Sequence, residues 1–533
     1  MSRLAPRRLS RRQFLTGAAA GAIGALVPAP AAVRAGVVEF VFVPHAPVTA
    51  LDPVWTPAHA TRNHAYMIYD TLFGVDEQGQ IRPQMLDRYG RSSSGLQWSF
   101  TLREGLRWHD GHAVTAEDCV ASLSRWSRND PFGQLLASHT RRLVPIDKTT
   151  FVLDLGEPFP FVLEAMARPG RVPFMMPARI AATPASEQIK EHVGSGPFRF
   201  AEFVPGAVTI YTHHVDYRPR QETPSGSAGG KHARLKRVVW RFHFSSDVLR
   251  EQFARGHVDW WESPPLNLLS EIERDSDTAT TVLDPVGIQG WLLPNHLHPP
   301  FNRKEARQAL VRMMDQRRYL TAIAPPSMQR PCGSIFPCGS RWHSHSAMEA
   351  LVRPDPARAR QLMAAARYDG RPIVLLDPVD VGPLHAAAGV TGELLNAIGV
   401  TVDLQAAPWS EVLRRRARKD PPHLGGWHLL VTSWSGLDIA DPAVHAGLGG
   451  VGKRSWIGWA ASPELDRLRM AWLRTPEPNE RRRLVDEIER LALEEAMYVP
   501  FGQWISPTAY RRTVAGILRF PIPLLWNVSD TAR

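Results

Sequence analysis

The chain has 533 residues, with 63 lysines and arginines against 52 acidic residues and a formal charge of +11. That length exceeds what one hydrophobic core organises, so two or three lobes are expected. Three cysteines exclude a disulfide scaffold, and a 44% hydrophobic content without repeats or low-complexity tracts excludes a solenoid or a disordered chain.

The amino terminus carries the first element. Ser10-Arg11-Arg12-Gln13-Phe14-Leu15-Thr16 lies in an Arg-rich stretch free of acidic residues, followed by an apolar run from Gly17 to Val27 and by Val33-Arg34-Ala35. A basic head, a short apolar middle and a small-residue end make a secretory signal over residues 1–35. The run is well short of the ~20 residues that span a bilayer. The paired arginines before Phe14-Leu15 resemble a twin-arginine signal, which a receptor reads. The alternative, a basic helix or membrane anchor, fits the flanks and the length less well. Cleavage near Gly36 removes six arginines (Arg3, Arg7, Arg8, Arg11, Arg12, Arg34), so the formal charge falls from +11 to about +5. That residual charge calls for no nucleic-acid partner.

Further along, Trp98-Ser99-Phe100-Thr101-Leu102-Arg103 alternates as a half-buried strand, and Phe151, Leu153 and Leu155 do the same. Thr115 and Asp118 have the spacing of a helix-opening box, for a helix through Ser124. The stretch Thr223 to Gly230 reads as a flexible surface loop, and Val238, Trp240, Phe242 and Phe244 as the strand that follows it. Asn302 and Glu305 predict the start of a helix running through Leu320. Leu429-Leu430-Val431 reads as a buried strand. Ser462-Pro463 opens a helix, and Leu484, Val485, Ile488, Leu491 and Ala492 stripe another that ends before Pro500. Interleaved strands and helices predict an α/β architecture.

Signatures of catalysis are absent: there is no G-x-S-x-G, no H-E-x-x-H and no P-loop. Gly447, Gly449 and Gly452 match G-x-G-x-x-G, but the flanking residues read as a glycine-rich loop and not as a dinucleotide site. Three close histidine pairs (His213-His214, His296 and His298, His343 and His345) lack acidic or cysteine partners at metal-site spacing, so no metal and no cofactor is expected. Cys332 and Cys338 either pair in an oxidising compartment or remain two thiols. Trp427, Trp434, Trp456 and Trp459 cluster near Asp438 and Asp441, which suits core packing and equally a pocket for flat groups and a cation.

Taken in order, Leu51-Asp52-Pro53, Ile68-Tyr69-Asp70-Thr71-Leu72-Phe73, Ile81-Arg82-Pro83, Leu102-Arg103-Glu104-Gly105-Leu106-Arg107-Trp108-His109-Asp110-Gly111, Gly194-Ser195-Gly196-Pro197-Phe198, Gly256-His257-Val258-Asp259 and the closing Trp526-Asn527-Val528 form a pattern. It resembles the family-5 solute-binding proteins, which include oligopeptide-, dipeptide-, glutathione- and nickel-binding proteins. The resemblance covers essentially the whole mature chain. It implies a two-lobed periplasmic-binding-protein fold with a subdomain inserted in lobe one. The implied boundaries are lobe one at 36–75 and 190–284, the insert at 76–189, lobe two at 285–499, and a return to lobe one at 500–533. Gly194 and Gly196 would form a hinge where the chain re-enters the first lobe.

The same resemblance implies a ligand held in the inter-lobe cleft and, as partners, a peptide or other small solute, ATP-binding-cassette (ABC) permease subunits in the inner membrane and the twin-arginine export machinery. The protein would be a periplasmic monomer without catalysis. Peptide-binding members pair a lobe-two aspartate, shortly after a tryptophan, with the ligand's amino terminus. Trp434-Ser435-Gly436-Leu437-Asp438 matches that segment, with the aspartate one residue later. The candidate ligand-binding set is Asp438, Trp434, His59, Thr61 and Trp456; Asp441 before Pro442 is read as structural. Two other readings remain, an exported hydrolase using paired carboxylates and a ligand-sensing receptor on the same fold.

Overall fold

The computed structural model describes residues 39–242, 245–344 and 353–532. The expected signal segment, residues 1–35, lies outside them, as do Phe244 and His345. Two large sheets organise the described chain. The first has seven strands in the order Thr278–Thr281, Thr508–Arg511, Trp260–Trp261, Phe40–Val43, Arg237–Arg241, Val208–His213 and Phe198–Val204. The second has six, in the order Gln329–Arg330, Val499–Trp504, Ile288–Pro294, Leu429–Ser435, Ile373–Pro378 and Val402–Ala407.

Each sheet has a parallel centre. Phe40–Val43 pairs in parallel with Arg237–Arg241 and Trp260–Trp261, and Ile373–Pro378 with Val402–Ala407 and Leu429–Ser435. Phe40–Val43 and Ile373–Pro378 are covered on both faces, so they read as continuous apolar runs (Phe40-Val41-Phe42-Val43, Ile373-Val374-Leu375-Leu376) and not as alternation, whereas the edge strand Val402–Ala407 is partly exposed.

A third, four-stranded antiparallel sheet lies between residues 86 and 155, and its strands do alternate. In Gln97–Leu102 the side chains Trp98, Phe100 and Leu102 are buried under the helix Ala116–Asn129. That helix opens with the expected box: Thr115 Oγ1 accepts from Asp118 N while Asp118 Oδ2 accepts from Thr115 N. It runs past Ser124 to Asn129.

Several expectations are corrected. The helix expected from Asn302 through Leu320 is two helices, Lys304–Met313 and Gln316–Ile323. Asp315 ends the continuity because its carboxylate accepts from Arg317 N and Arg318 N, capping a new start. The stretch 223–230 is not a surface excursion. Residues from Gly226 to Gly230 are buried, and Ser227 Oγ accepts from Val75 N at 2.8 Å. Gly226 has a φ of 54° and lies so close to Val75 O that a side chain has no room there.

Gly194 and Gly196 do not lie between the two large sheets and have no positive φ. They press on the end of the helix His59–Ile68, where Gly196 N donates to Ile68 O at 2.9 Å and a side chain at 194 would collide with that carbonyl. The glycines serve close backbone approach. The chain passes between the large sheets twice, from Thr278–Thr281 into Ile288–Pro294 and from Val499–Trp504 into Thr508–Arg511. The second sheet therefore keeps the chain through Trp504, later than the return expected at residue 500. The two crossings run side by side, because their strands pair antiparallel in both sheets. Gly287 in the first crossing has a φ of 74°, and a Cβ there would lie 2.4 Å from Trp504 O in the second.

The cysteine alternative is also decided: Cys332 and Cys338 are bridged, and Cys119 is a buried free thiol.

Candidate functional site

Open α/β sheets receive ligands outside the carboxyl ends of their parallel strands. The carboxyl ends of the two central strand groups face each other across a cleft of about 790 Å³. The first sheet contributes His45 after Phe40–Val43 and Glu262 after Trp260–Trp261; the second contributes Asp380 and the serines Ser433 and Ser435. The crossings supply Asp284 and Ser506 to its wall.

Strand Leu429–Ser435 ends in the short 3-10 turn Gly436–Ile439, started by Ser435 Oγ accepting from Leu437 N. That turn carries Leu437 onto the first-lobe core and Asp438 against His59, the first residue of the helix His59–Ile68. His59 Nε2 lies 2.7 Å from Asp438 Oδ2, a direct contact between lobes. The inserted subdomain meets them at the turn Pro169–Arg171, where a Cβ on Gly170 would lie 2.4 Å from Asp438 Oδ1. Burial works to raise the Asp438 carboxyl, but His59, aided by Arg62 and Arg168, holds it down at about 2. Asp438 is therefore an anion at any physiological pH.

A second histidine sits beside the first, with the His45 and His59 rings 6.1 Å apart. His45 N and Nδ1 both approach Glu262 Oε2, at 2.7 and 2.9 Å, and Asn63 Nδ2 donates to Glu262 Oε1. Burial favours the neutral Glu262, yet the His45 contacts hold its carboxyl below the usual range. Asp284, buried and in the field of Asp438, is pushed up to about 6, with backbone N–H groups of Val286 and Gly287 acting against the rise.

Of the expected ligand residues, Asp438 and His59 come together. Thr61 does not join them: it is fully buried, and its hydroxyl donates to Ala50 O at 2.8 Å, so it is a packing residue. Trp434 lies between Ser433 and Ser435, and strand alternation turns it to the face opposite the cleft. There it packs on Trp291 and Trp456, with ring centroids 5.7 and 5.4 Å away, and its indole N–H is buried without a partner among the described residues. Trp427 and Trp459 pair with each other apart from this group. Asp441 has the expected structural part, accepting from Ala443 N at 2.8 Å. The glycines at 447, 449 and 452 lie on short 3-10 turns with no strand leading in. No cluster of three or more metal-ligating side chains occurs among the described residues.

Sequence reasoning missed Arg62, Arg171 and Trp291. Arg62 was within reach, since it lies three residues after His59 on one helix face. Arg171 reaches the neighbouring cavity only through the tertiary fold, and Trp291 packs behind the site against Trp434.

Residues 80–451 match the bacterial extracellular solute-binding proteins, family 5 Middle. Over 531 residues the chain is 36% identical to the Probable peptide ABC transporter periplasmic-binding protein y4tO of Sinorhizobium fredii, covering 98% of this chain and 99% of that one. The chain belongs to the family-5 extracellular solute-binding proteins. A more distant family-5 relative is the glutathione-binding protein GsiB of Salmonella typhimurium, 22% identical over 482 residues, covering 89% of this chain and 90% of that one. Two solved structures share the fold. DppA from Helicobacter pylori in complex with the peptide STSA gives a TM-score of 0.77 at 19% identity, covering 93% and 98% of the two chains. AgaA from A. tumefaciens R10 in complex with agropinic acid gives 0.75 at 21%, covering 92% and 99%. The two-lobed family-5 architecture is thus the architecture of this chain, and the facing strand ends form its inter-lobe cleft.

Proposed function

We propose that this family-5 protein is the periplasmic solute-capturing component of an ABC importer, taking a short peptide or peptide-like solute between its lobes for delivery to a membrane permease. One observation carries the reading of the site. Asp438, kept ionised although buried, is met by a histidine from the opposite lobe and not by a fixed arginine or lysine. His59 stands where the cationic end of a solute would stand, and a solute ammonium replaces it. Names among the relatives point the same way: y4tO is called a peptide-transport protein, and DdpA of Escherichia coli, 22% identical over 508 residues, a D,D-dipeptide-binding one.

Mass spectrometry of the solute that co-purifies, followed by calorimetry, tests this reading. Breaking one side of a desolvated charge pair costs ~2–5 kcal/mol of binding. Asp438→Asn is therefore expected to weaken affinity by roughly 30-fold or more at 1.4 kcal/mol per decade. Equal affinity in the wild type and the variant would show that Asp438 does not read the solute.

The export route is part of the proposal. The Arg11-Arg12 pair sends the chain through twin-arginine machinery, and the mature protein starts near Gly36 and works as a monomer. Arg11→Lys with Arg12→Lys keeps the charge and removes the address. Precursor retained in the cytoplasm of the double variant supports this route; normal periplasmic yield removes it.

A further inference from the structure

Beside the cleft lies a second, smaller cavity of about 290 Å³, between the first lobe and the inserted subdomain. Its wall includes Trp55, Trp126, Asp130, Gly170 and two arginines, Arg62 and Arg171. Arg62 also lines the large cleft, so its side chain stands between the two spaces.

The arginines share an unusual condition. Arg62 is only 8% exposed, yet it has no carboxylate in contact. Its Nε and Nη2 donate to the neutral Asn63 Oδ1 at 3.1 and 2.9 Å, and its Nη1 is buried with no partner. Arg171 offers its backbone carbonyl to Trp126 Nε1, but its guanidinium makes no hydrogen bond or ion pair among the described residues. Burial lowers the Arg171 guanidinium, and the charges of Arg168 and Arg62 add to that; Asp130 and Asp438 oppose it.

Of the carboxylates near this pair, Asp130, Asp438 and Glu262 are already engaged, and Asp284, which accepts from Val286 N, makes no ion pair with Arg62 among the described residues. Asp130 takes Arg168 Nη2 at 2.9 Å and caps Phe132 N and Gly133 N. Asp438 meets His59, and Glu262 is held by His45 and Asn63. A buried guanidinium without a counter-charge is costly, and its planar fork of N–H donors matches an oxyanion.

We propose that Arg62 and Arg171 form an oxyanion subsite, taking a carboxylate or phosphate of the captured solute while Asp438 takes its cationic end. The solute class is then zwitterionic, with its anionic group reaching past the main cleft toward the inserted subdomain. This rests on the solute-binding reading above. It adds a second charged anchor, on the first lobe and its insert, opposite in sign to the one on the second lobe.

The test separates the two readings. Calorimetry compares a dipeptide chosen from a binding screen, its carboxamide, and inorganic phosphate, each against wild type, Arg62→Gln and Arg171→Gln. In the wild type, amidation is expected to weaken the peptide about 30-fold or more, from the loss of one side of a buried charge pair. In the variants the free peptide is expected to bind as weakly as the carboxamide, and the carboxamide to bind as it does to wild type. An amidation penalty of equal size in wild type and variants overturns the subsite. Where no peptide binds, the peptide reading fails, and phosphate still decides. Millimolar phosphate that raises the unfolding midpoint of wild type but not of Arg62→Gln supports the subsite; the same shift in both, or none in either, overturns it. Arg62→Lys keeps the charge without the fork and guards against a folding defect. It is expected to restore part of the phosphate response, and full loss in a natively folded Arg62→Lys protein places the requirement on the planar fork.

Discussion

Inside the first lobe, Asp70 receives Lys231 Nζ at 2.6 Å and Tyr217 OH at 3.0 Å, with the ammonium also 4.7 Å from the Trp526 ring. Nearby, Asp52 takes Arg125 through two bonds of 3.0 and 2.7 Å and accepts from Ile189 N as well. At the cleft edge of this lobe and its insert, Arg62 is buried and Arg171 half-buried with no carboxylate in contact, and Asp438 is met only across the lobe boundary. The residue types are the same and the accounting differs. Charges closed by the chain itself belong to the fold; charges left half closed need something the chain does not supply.

The largest effect is expected where the closure is complete. Lys231→Met leaves the Asp70 carboxylate buried beside Tyr217 without its cation, and such a break typically costs ~3–5 kcal/mol. Denaturant unfolding measures it. Arg62→Gln, in contrast, is expected to change stability by less than about 1 kcal/mol, because no ion pair is broken. Equal destabilisation by the two variants would erase the distinction between the regions.

A third case sharpens it. Glu489, on the helix Pro478–Glu494, is buried with Ser334 Oγ donating to its Oε2 at 3.1 Å and no cation in contact among the described residues. Burial pushes it up to about 8, with Asp486 adding to the rise and Ser334 and the backbone acting against it. The folded protein therefore holds this proton while the unfolded chain releases it near 4.5. Stability is complete below that value and falls as pH rises toward 8. Glu489→Gln is expected to flatten the slope, gaining roughly 3–4 kcal/mol at pH 8 relative to pH 5. Thermal unfolding at the two values checks it, and an unchanged slope would mean that Glu489 is ionised in the fold. Ser334, its partner, sits in the loop pinned by Cys332–Cys338, which keeps the donor in place.

Much of the scaffold was legible because local signals were unopposed. The Thr115 and Asp118 box, the alternation of Gln97–Leu102 and the Ser462-Pro463 start are each settled within a few residues. Asp438 was singled out through family likeness, whereas its contact with His59 depends on the tertiary fold. The stretch 223–230 was misread because its composition is that of a surface loop, while its burial depends on Val75, about 150 residues away. The Arg62 and Arg171 pair was invisible for the same kind of reason. Nothing local marks an arginine as lacking a counter-ion; that is known only when every neighbouring carboxylate has been assigned elsewhere.

The two crossings between the lobes run side by side, each end flanked by a two-stranded antiparallel ribbon and crowded where Gly287 meets Trp504. A ribbon flexes out of its plane but resists being sheared, since shear would slip the hydrogen-bond ladder by whole residues. Connections flanked in this way favour a swing of one lobe against the other over a slide along the strands. The turn at Gly436–Ile439 lands on the His59 helix, so the His59–Asp438 contact is a latch point between the two lobes.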